Sequence, residues 1–280
     1  MSSIATVRKL AAASVLAFAA SASQAAVIDN WEYTLELNWI TSSAVFSPGE
    51  NRTGYPGATT VSNTLLSWGW QNGNYKNVDP NTGYNRSALE ITTPTATGMI
   101  ATNGSSVAAN MFTHYNAPIY EVFPSLEKVQ LSVTVNLGLP GFDSIYSVTQ
   151  TFNVYFKETL NDGKQCAWGL CDNDIFAIVT VAPTLDDFSY AFNFGGIDYT
   201  FNYFETSDYL KPLSAAACSA AGIASGLACY GFTTPESMTT PVQFAFSITA
   251  VPEPETYAML LAGLTMIGVV VRRRRNAIGR

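Results

Sequence analysis

The chain has 280 residues, of which 48% are hydrophobic and only 12% charged, enough apolar material for one β-rich domain of about 200–250 residues. Its formal net charge is −7, and residues 26–251 alone carry seven basic against nineteen acidic side chains, a net of −12. So negative a surface repels phosphate backbones, which argues against nucleic acid as a partner.

The N-terminus carries Arg8 and Lys9, an apolar Ala-rich run from Leu10 to Ala20, and small residues through Ala26. A basic stretch, a short apolar stretch and small residues at a cut site predict a secretory signal peptide over 1–25. Cleavage after Ala25 puts Ser23 at the −3 position, and cleavage after Ala22 also fits. The partners this implies are the Sec translocon and a signal peptidase.

From residue 31 the pattern turns to period two. Trp31, Tyr33, Leu35, Leu37 and Trp39 share one face, with Glu32, Thr34, Glu36 and Asn38 opposite. Residues 41–60 and 69–87, rich in Gly, Asn, Pro, Ser and Thr, are expected as surface loops. Trp68, Trp70, Tyr75 and Tyr84 lie in or beside the second of them. Amphipathic aromatics on a loop can stack on sugar rings, so Trp68, Trp70 and Tyr75 are candidate sugar-binding residues. The alternative for Trp68 is a place in the core.

Alternation returns in Val129, Leu131, Val133, Val135 and Leu137, in Phe152, Val154 and Phe156, and in Val242, Phe244, Phe246 and Ile248. Each is the pattern of a half-buried antiparallel strand. The run Asp174 to Val181 is apolar on both parities and predicts a strand covered on both faces. Phe188–Phe194 and Ile197–Tyr203 flank Gly195-Gly196, a two-residue hairpin turn. Helix signals are few, with one short turn expected around Ser214 to Ala221. The fold class is therefore all-β: a β-sandwich, jelly-roll-like, over residues 26–250.

Cys166, Cys171, Cys218 and Cys229 are an even number in a chain marked for export, which predicts two disulfides in one of three pairings. The local pairing, Cys166 with Cys171 and Cys218 with Cys229, would staple two loops. Zinc fits poorly, because the spacings are wrong and the sole histidine is distant. Asp172, Asn173 and Asp174 offer oxygen ligands for calcium, although the twelve-residue EF-hand loop is missing.

His114 is the only histidine, and no Gly-x-Ser-x-Gly elbow accompanies it. Zincin motifs need two histidines, and no P-loop or dinucleotide glycine loop occurs. Paired carboxylates of the glycosidase type are numerous but unmarked. The expectation is a protein without catalytic residues. For His114 and Asn116 the expected role is structural: side chains on a strand edge that bond loop backbone and pin the turn into Pro118.

The chain closes on Val251-Pro252-Glu253-Pro254-Glu255-Thr256, an apolar run from Tyr257 to Val271, and Arg272-Arg273-Arg274-Arg275. As a helix, 257–271 spans about 22 Å, slightly short of the roughly 30 Å hydrocarbon core. Snorkelling arginines and interfacial Tyr257 can close that gap. The arginine cluster acts as a stop-transfer signal that stays cytoplasmic, while the two prolines hold an extended segment ahead of the helix. This order of elements resembles the PEP-CTERM sorting signal of Gram-negative bacteria. The resemblance implies recognition by an exosortase, cleavage near Pro252-Glu253-Pro254, a transient inner-membrane anchor, and delivery to the cell surface or the extracellular polysaccharide. A permanent single-pass anchor is the other reading of the span.

Thr113-His114-Tyr115-Asn116, followed by Ala117-Pro118-Ile119, resembles the signature of the THxN family of PEP-CTERM proteins. Leu66-Ser67-Trp68-Gly69, Phe156-Lys157-Glu158-Thr159, Cys171-Asp172-Asn173-Asp174-Ile175-Phe176 and Cys229-Tyr230-Gly231-Phe232 follow the order of that family. It implies a secreted all-β body of undefined activity and brings no catalytic residues. The two addresses and the lack of a catalytic constellation point to a surface protein of structural or adhesive type, with a surface carbohydrate-binding module and a secreted hydrolase as the alternatives.

Overall fold

The computed structural model describes residues 26–49, 59–70, 86–142, 144–159, 165–166, 169–170, 173–179, 189–250, 261 and 263–268. It separates into a larger unit, Ile28–Phe192 with Thr200–Thr249, and a smaller one in which Asn193–Tyr199 joins the two chain ends. All the chemistry below lies in the larger unit.

The first sheet holds β1 (Asn30–Phe46), β5 (Thr95–Ala101), β7 (Leu126–Gly138), β8 (Ser144–Lys157), β11 (Asp174–Val179), β14 (Lys211–Pro212) and β15 (Cys229–Thr234). Its order is β14-β15-β11-β8-β7-β1-β5. The second holds β2 (Thr59–Val61), β3 (Leu65–Trp68), β4 (Ser87–Thr93), β6 (Val107–Tyr115), β12 (Ser189–Phe194), β13 (Ile197–Glu205) and β16 (Thr239–Ala250), in the order β12-β13-β16-β6-β4-β3-β2. A separate ribbon pairs β9 (Gln165–Cys166) with β10 (Gly169–Leu170). The ladders are antiparallel throughout. The fourteen strands of the two sheets outnumber the eight of a jelly roll.

The inward faces are those the alternation marks. Trp31, Leu35, Leu37 and Trp39 of β1 are buried, as are Val129, Leu131, Val133, Val135 and Leu137 of β7. Phe112 of β6 sits at the centre. Its ring lies 6.1 Å from Trp39 and 5.1 Å from Phe176, both on the opposite sheet. Burying such side chains contributes about 1.5–3 kcal/mol each, so these ring contacts hold the two layers face to face.

Residues 41–46 correct the expectation of a loop from 41: β1 continues to Phe46. Its register on β7 shifts between Ile40 and Val45. Ser43 stitches that irregularity, its Oγ donating to the Ile40 carbonyl and accepting from the Gln130 N–H. The polar composition therefore marks a bulge as well as a loop.

β11 is buried along both faces, as its unbroken apolar run predicts. One face enters the sandwich. The other, through Ile175 and Ala177, packs on α1 (Ala215–Ala220), together with Ala217, Cys218, Ala221 and Ile223. Ser214 caps α1 by accepting from the Ala217 N–H. The close approach of β15 to β11 requires Gly231, where a Cβ would stand 1.9 Å from the Phe176 carbonyl oxygen. The Cys218–Cys229 disulfide, with Cα atoms 5.9 Å apart, ties α1 to β15. In the smaller unit, Gly195 and Gly196 take φ of 62° and 84°, the left-handed pair that a two-residue hairpin turn needs.

Candidate functional site

The interior faces of several strands run out at one end of the sandwich, and there they change from apolar to polar. On β6 the inward series is Phe112, His114, then Asn116. On β8 it is Phe152, Val154, Phe156, then Glu158 just beyond the strand. On β11 it is Asp174, Phe176, Ile178, and on β15 Tyr230, Phe232, Thr234. Asp174 and Thr234 are cross-strand partners, so their side chains enter the same space.

His114 and Asn116 are fully buried. β6 lies between β16 and β4, so the motif sits on a central strand and not on an edge as expected. Both side chains reach Thr234 at the end of β15, and not the turn into Pro118. Asn116 donates Nδ2 to the Thr234 carbonyl at 2.8 Å, and its backbone N–H reaches the Met238 carbonyl at 3.0 Å. His114 Nδ1 meets Thr234 Oγ1 at 2.8 Å, and that hydroxyl meets Thr240 Oγ1 at 2.8 Å. Thr234 ends β15 in one sheet and Thr240 is the second residue of β16 in the other. The motif thus pins the crossover between sheets. Thr113, its first residue, is also buried and pairs across to Glu90 and Pro241.

Around this clamp stand three carboxylates. Glu158, Asp174 and Glu236 each place one oxygen within 4.8 Å of the others. Trp68 Nε1 donates to Glu158 Oε2 at 2.7 Å. The Thr159 N–H and hydroxyl both donate to Asp174 Oδ1, at 2.9 and 3.3 Å. His114 Nε2 lies 3.8 Å from Asp174 Oδ2. Burial pushes the imidazole down to about 3, so it is neutral and the contact is not an ion pair. Burial pushes the Glu158 carboxyl up to about 7 against the opposing pull of its Trp68 hydrogen bond. Asp174 is raised well above the ordinary carboxylate range by burial and then by the neighbouring Glu158 charge.

Trp68 is sealed in the core, its ring 4.8 Å from Phe156, which removes it from any sugar-stacking surface. Trp70 is half-buried with Phe123 at 6.0 Å and Tyr120 at 6.4 Å. Asp174 begins a buried strand, and its carboxylate faces Glu158. Tyr75, Cys171, Asp172, Pro252, Glu253, Pro254, Arg272, Arg273, Arg274, Arg275 and the segment 1–25 lie outside the described residues. In the sequence Glu158 is marked only within the Phe156-Lys157-Glu158-Thr159 landmark, with no site role, and Glu236 is not marked at all. Period two continued from Phe152, Val154 and Phe156 lands on Glu158, a signal that could have found it.

At the C-terminus β16 ends at Ala250, directly before Val251-Pro252-Glu253-Pro254. Residues 261 and 263–268 are helical, with Leu261, Leu264, Met266 and Ile267 exposed by 56–62%. Among the described residues no helix is long and apolar enough to cross a membrane. Residues 250–275 carry the PEP-CTERM protein-sorting motif. The PEP-CTERM motif implies exosortase-dependent export through the envelope and sorting to the surface, with exosortase as partner. No curated protein matches the chain.

Proposed function

We propose that this is a non-catalytic surface protein of structural or adhesive type, in which a THxN-like β-sandwich over residues 26–250 is delivered by its PEP-CTERM tail. A signal peptide over 1–25 would carry the chain through the Sec translocon of a Gram-negative cell. Helix 257–271 would then hold it in the inner membrane, with Arg272–Arg275 inside, until exosortase cuts near Pro252-Glu253-Pro254. The working body would end at the cell surface or in the extracellular polysaccharide.

The observation that carries this reading is the sorting motif beginning at Ala250, where the last strand stops. The chemistry of the body supports the non-catalytic part. The sole histidine has no solvent exposure, and a general base must reach its substrate. Deleting residues 251–280 in a host with an exosortase should trap or release the protein. Unchanged surface display would reject sorting by this tail, and turnover by the purified chain of ester, peptide or glycoside substrates would reject the non-catalytic assignment.

A further inference from the structure

We infer that Glu158, Asp174 and Glu236 form a calcium site at the crossover end of the sandwich, with the ring of His114 beside it. This goes beyond the surface role proposed above and does not depend on it.

The three acids come from three separate segments: the end of β8, the start of β11 and the turn after β15. Folding alone brings their oxygens within 4.8 Å. The Glu158 and Asp174 carboxylates, so close, repel one another unless protons or a cation lie between them. Among the described residues no lysine or arginine forms a salt bridge with Glu158 or Asp174. Lys157, adjoining Glu158 in the chain, is exposed on the other parity of the strand.

The donors around the acids each engage one oxygen and leave the second turned inward. Trp68 holds Glu158 Oε2, and Thr159 holds Asp174 Oδ1. Glu158 Oε1 and Asp174 Oδ2 are sealed from solvent, and the two carboxyls lie within hydrogen-bond reach of each other, with Ser87 beside Glu158, so a proton or a cation can be held between them. Fixing one oxygen so that the other presents its lone pairs is how outer-shell groups orient metal-binding carboxylates.

His114 points to the same place independently. It is fully buried, and its Nδ1 is committed to Thr234. Its Nε2 has no hydrogen-bond partner among the described residues and is directed at Asp174 Oδ2 across 3.8 Å. That distance is too long for a hydrogen bond, yet two atoms sharing one ion at about 2.4 Å each can be so spaced. Nε2 is placed to hold a water in the ion's shell or to touch the ion itself.

The donor chemistry selects the ion. Oxygen ligands favour a hard cation over zinc or copper, which would draw on thiolate or several imidazoles. Calcium accepts irregular carboxylate sets, whereas magnesium requires near-octahedral geometry and retains its waters. Calcium sites in extracellular modules work at about 0.1–1 mM.

The test uses the full chain in detergent, stripped with EDTA and then titrated with calcium chloride at pH 7.5. Expected are one calcium bound by equilibrium dialysis and a melting temperature raised by several degrees, with magnesium giving less. Asp174→Asn and Glu236→Gln should each weaken calcium binding by roughly tenfold or more. Asp174 is buried and its variant could misfold, so Glu236→Gln, at a half-buried position, is the decisive one; a wild-type circular dichroism spectrum verifies its fold. Calcium binding undiminished in a folded Glu236→Gln chain would overturn the site. So would the lack of any bound calcium in the wild type, with stability responding to protons alone, because the cluster would then be a proton-sharing one.

Discussion

The indole N–H of Trp68 donates to the Glu158 carboxylate at 2.7 Å and so joins the end of β3 in one sheet to the end of β8 in the other. The residues are 90 apart in sequence, and Trp68 has no solvent exposure. A hydrogen bond to a charged group contributes about 1.5–3 kcal/mol, and losing the donor leaves a buried acceptor unsatisfied. Trp68→Phe should therefore cost about 2–4 kcal/mol in urea unfolding at pH 8. Trp39→Phe is the matched control. Trp39 is equally buried, but its Nε1 has no hydrogen-bond partner among the described residues, so only ring volume is lost. Equal costs for the two variants would mean that the Glu158 bond contributes nothing.

Asn116 is the second tie across the sheets. Its Nδ2 reaches the Thr234 carbonyl, and its backbone N–H the Met238 carbonyl. Asn116→Ala removes the first bond inside a fully buried space. A loss of about 1–3 kcal/mol is expected, with the backbone bond retained. His114 converges on the same threonine through Oγ1. His114→Ala and Thr234→Val should accordingly be non-additive, coupled by about 0.5–3 kcal/mol in a double-mutant cycle. Strict additivity would refute the shared clamp.

How far the sequence foretells this arrangement depends on the range of the interactions. Period-two alternation is local, and it placed the inward faces of β1, β7, β8 and β16 correctly. The doubly apolar run placed β11 between the core and α1. Gly195-Gly196 marked its hairpin for the same local reason. The pairing of Trp68 with Glu158, or of His114 with Asp174, depends on which strands meet across two layers, and alternation within one strand carries no such information. The motif residues drew attention through their order along the chain, while Glu236, in an ordinary turn, carried no mark. Ser43 shows the opposite failure, since a polar stretch that looks like loop is a stitched bulge within β1.

The Cys218–Cys229 disulfide closes a loop with a sequence separation of 11 around α1. A helix of six residues is too short to persist alone, so its place on β11 and β15 depends on packing and on this bond. By loop entropy the cross-link contributes about 2–3 kcal/mol. The Cys218→Ala/Cys229→Ala chain should be less stable by about that amount. Its hydrogen exchange should rise first in residues 213–229, ahead of the sheets. Uniform loss of protection would show that α1 is not an independently opening element.

The pH dependence of stability contains two opposed contributions at the polar end. The Glu158 carboxyl rises from its ordinary 4.5 to about 7 in the folded state, so the folded protein holds that proton more tightly. Its contribution is complete below about 4.5 and is lost as pH rises through about 7. His114 falls from 6.5 to about 3, so its contribution is complete above 6.5 and is lost as pH falls toward 3. The groups facing Glu158 are Asp174 from β11, Glu236 from the turn after β15, Trp68 from β3, Ser87 from β4 and the adjoining Lys157, with His114 against Asp174. A difference measurement separates Glu158 from the rest. With divalent ions chelated, Glu158→Gln should match or trail the wild type at pH 4.5 and gain on it steadily up to pH 8. The total gain should be on the order of 3 kcal/mol, from a free energy of about 1.4 kcal/mol per pKa unit. The His114 contribution cancels in that difference because both proteins retain the imidazole. A difference that stays flat across this range would mean that Glu158 ionises as it does in water, and that the carboxylate cluster is neither dry nor mutually repulsive.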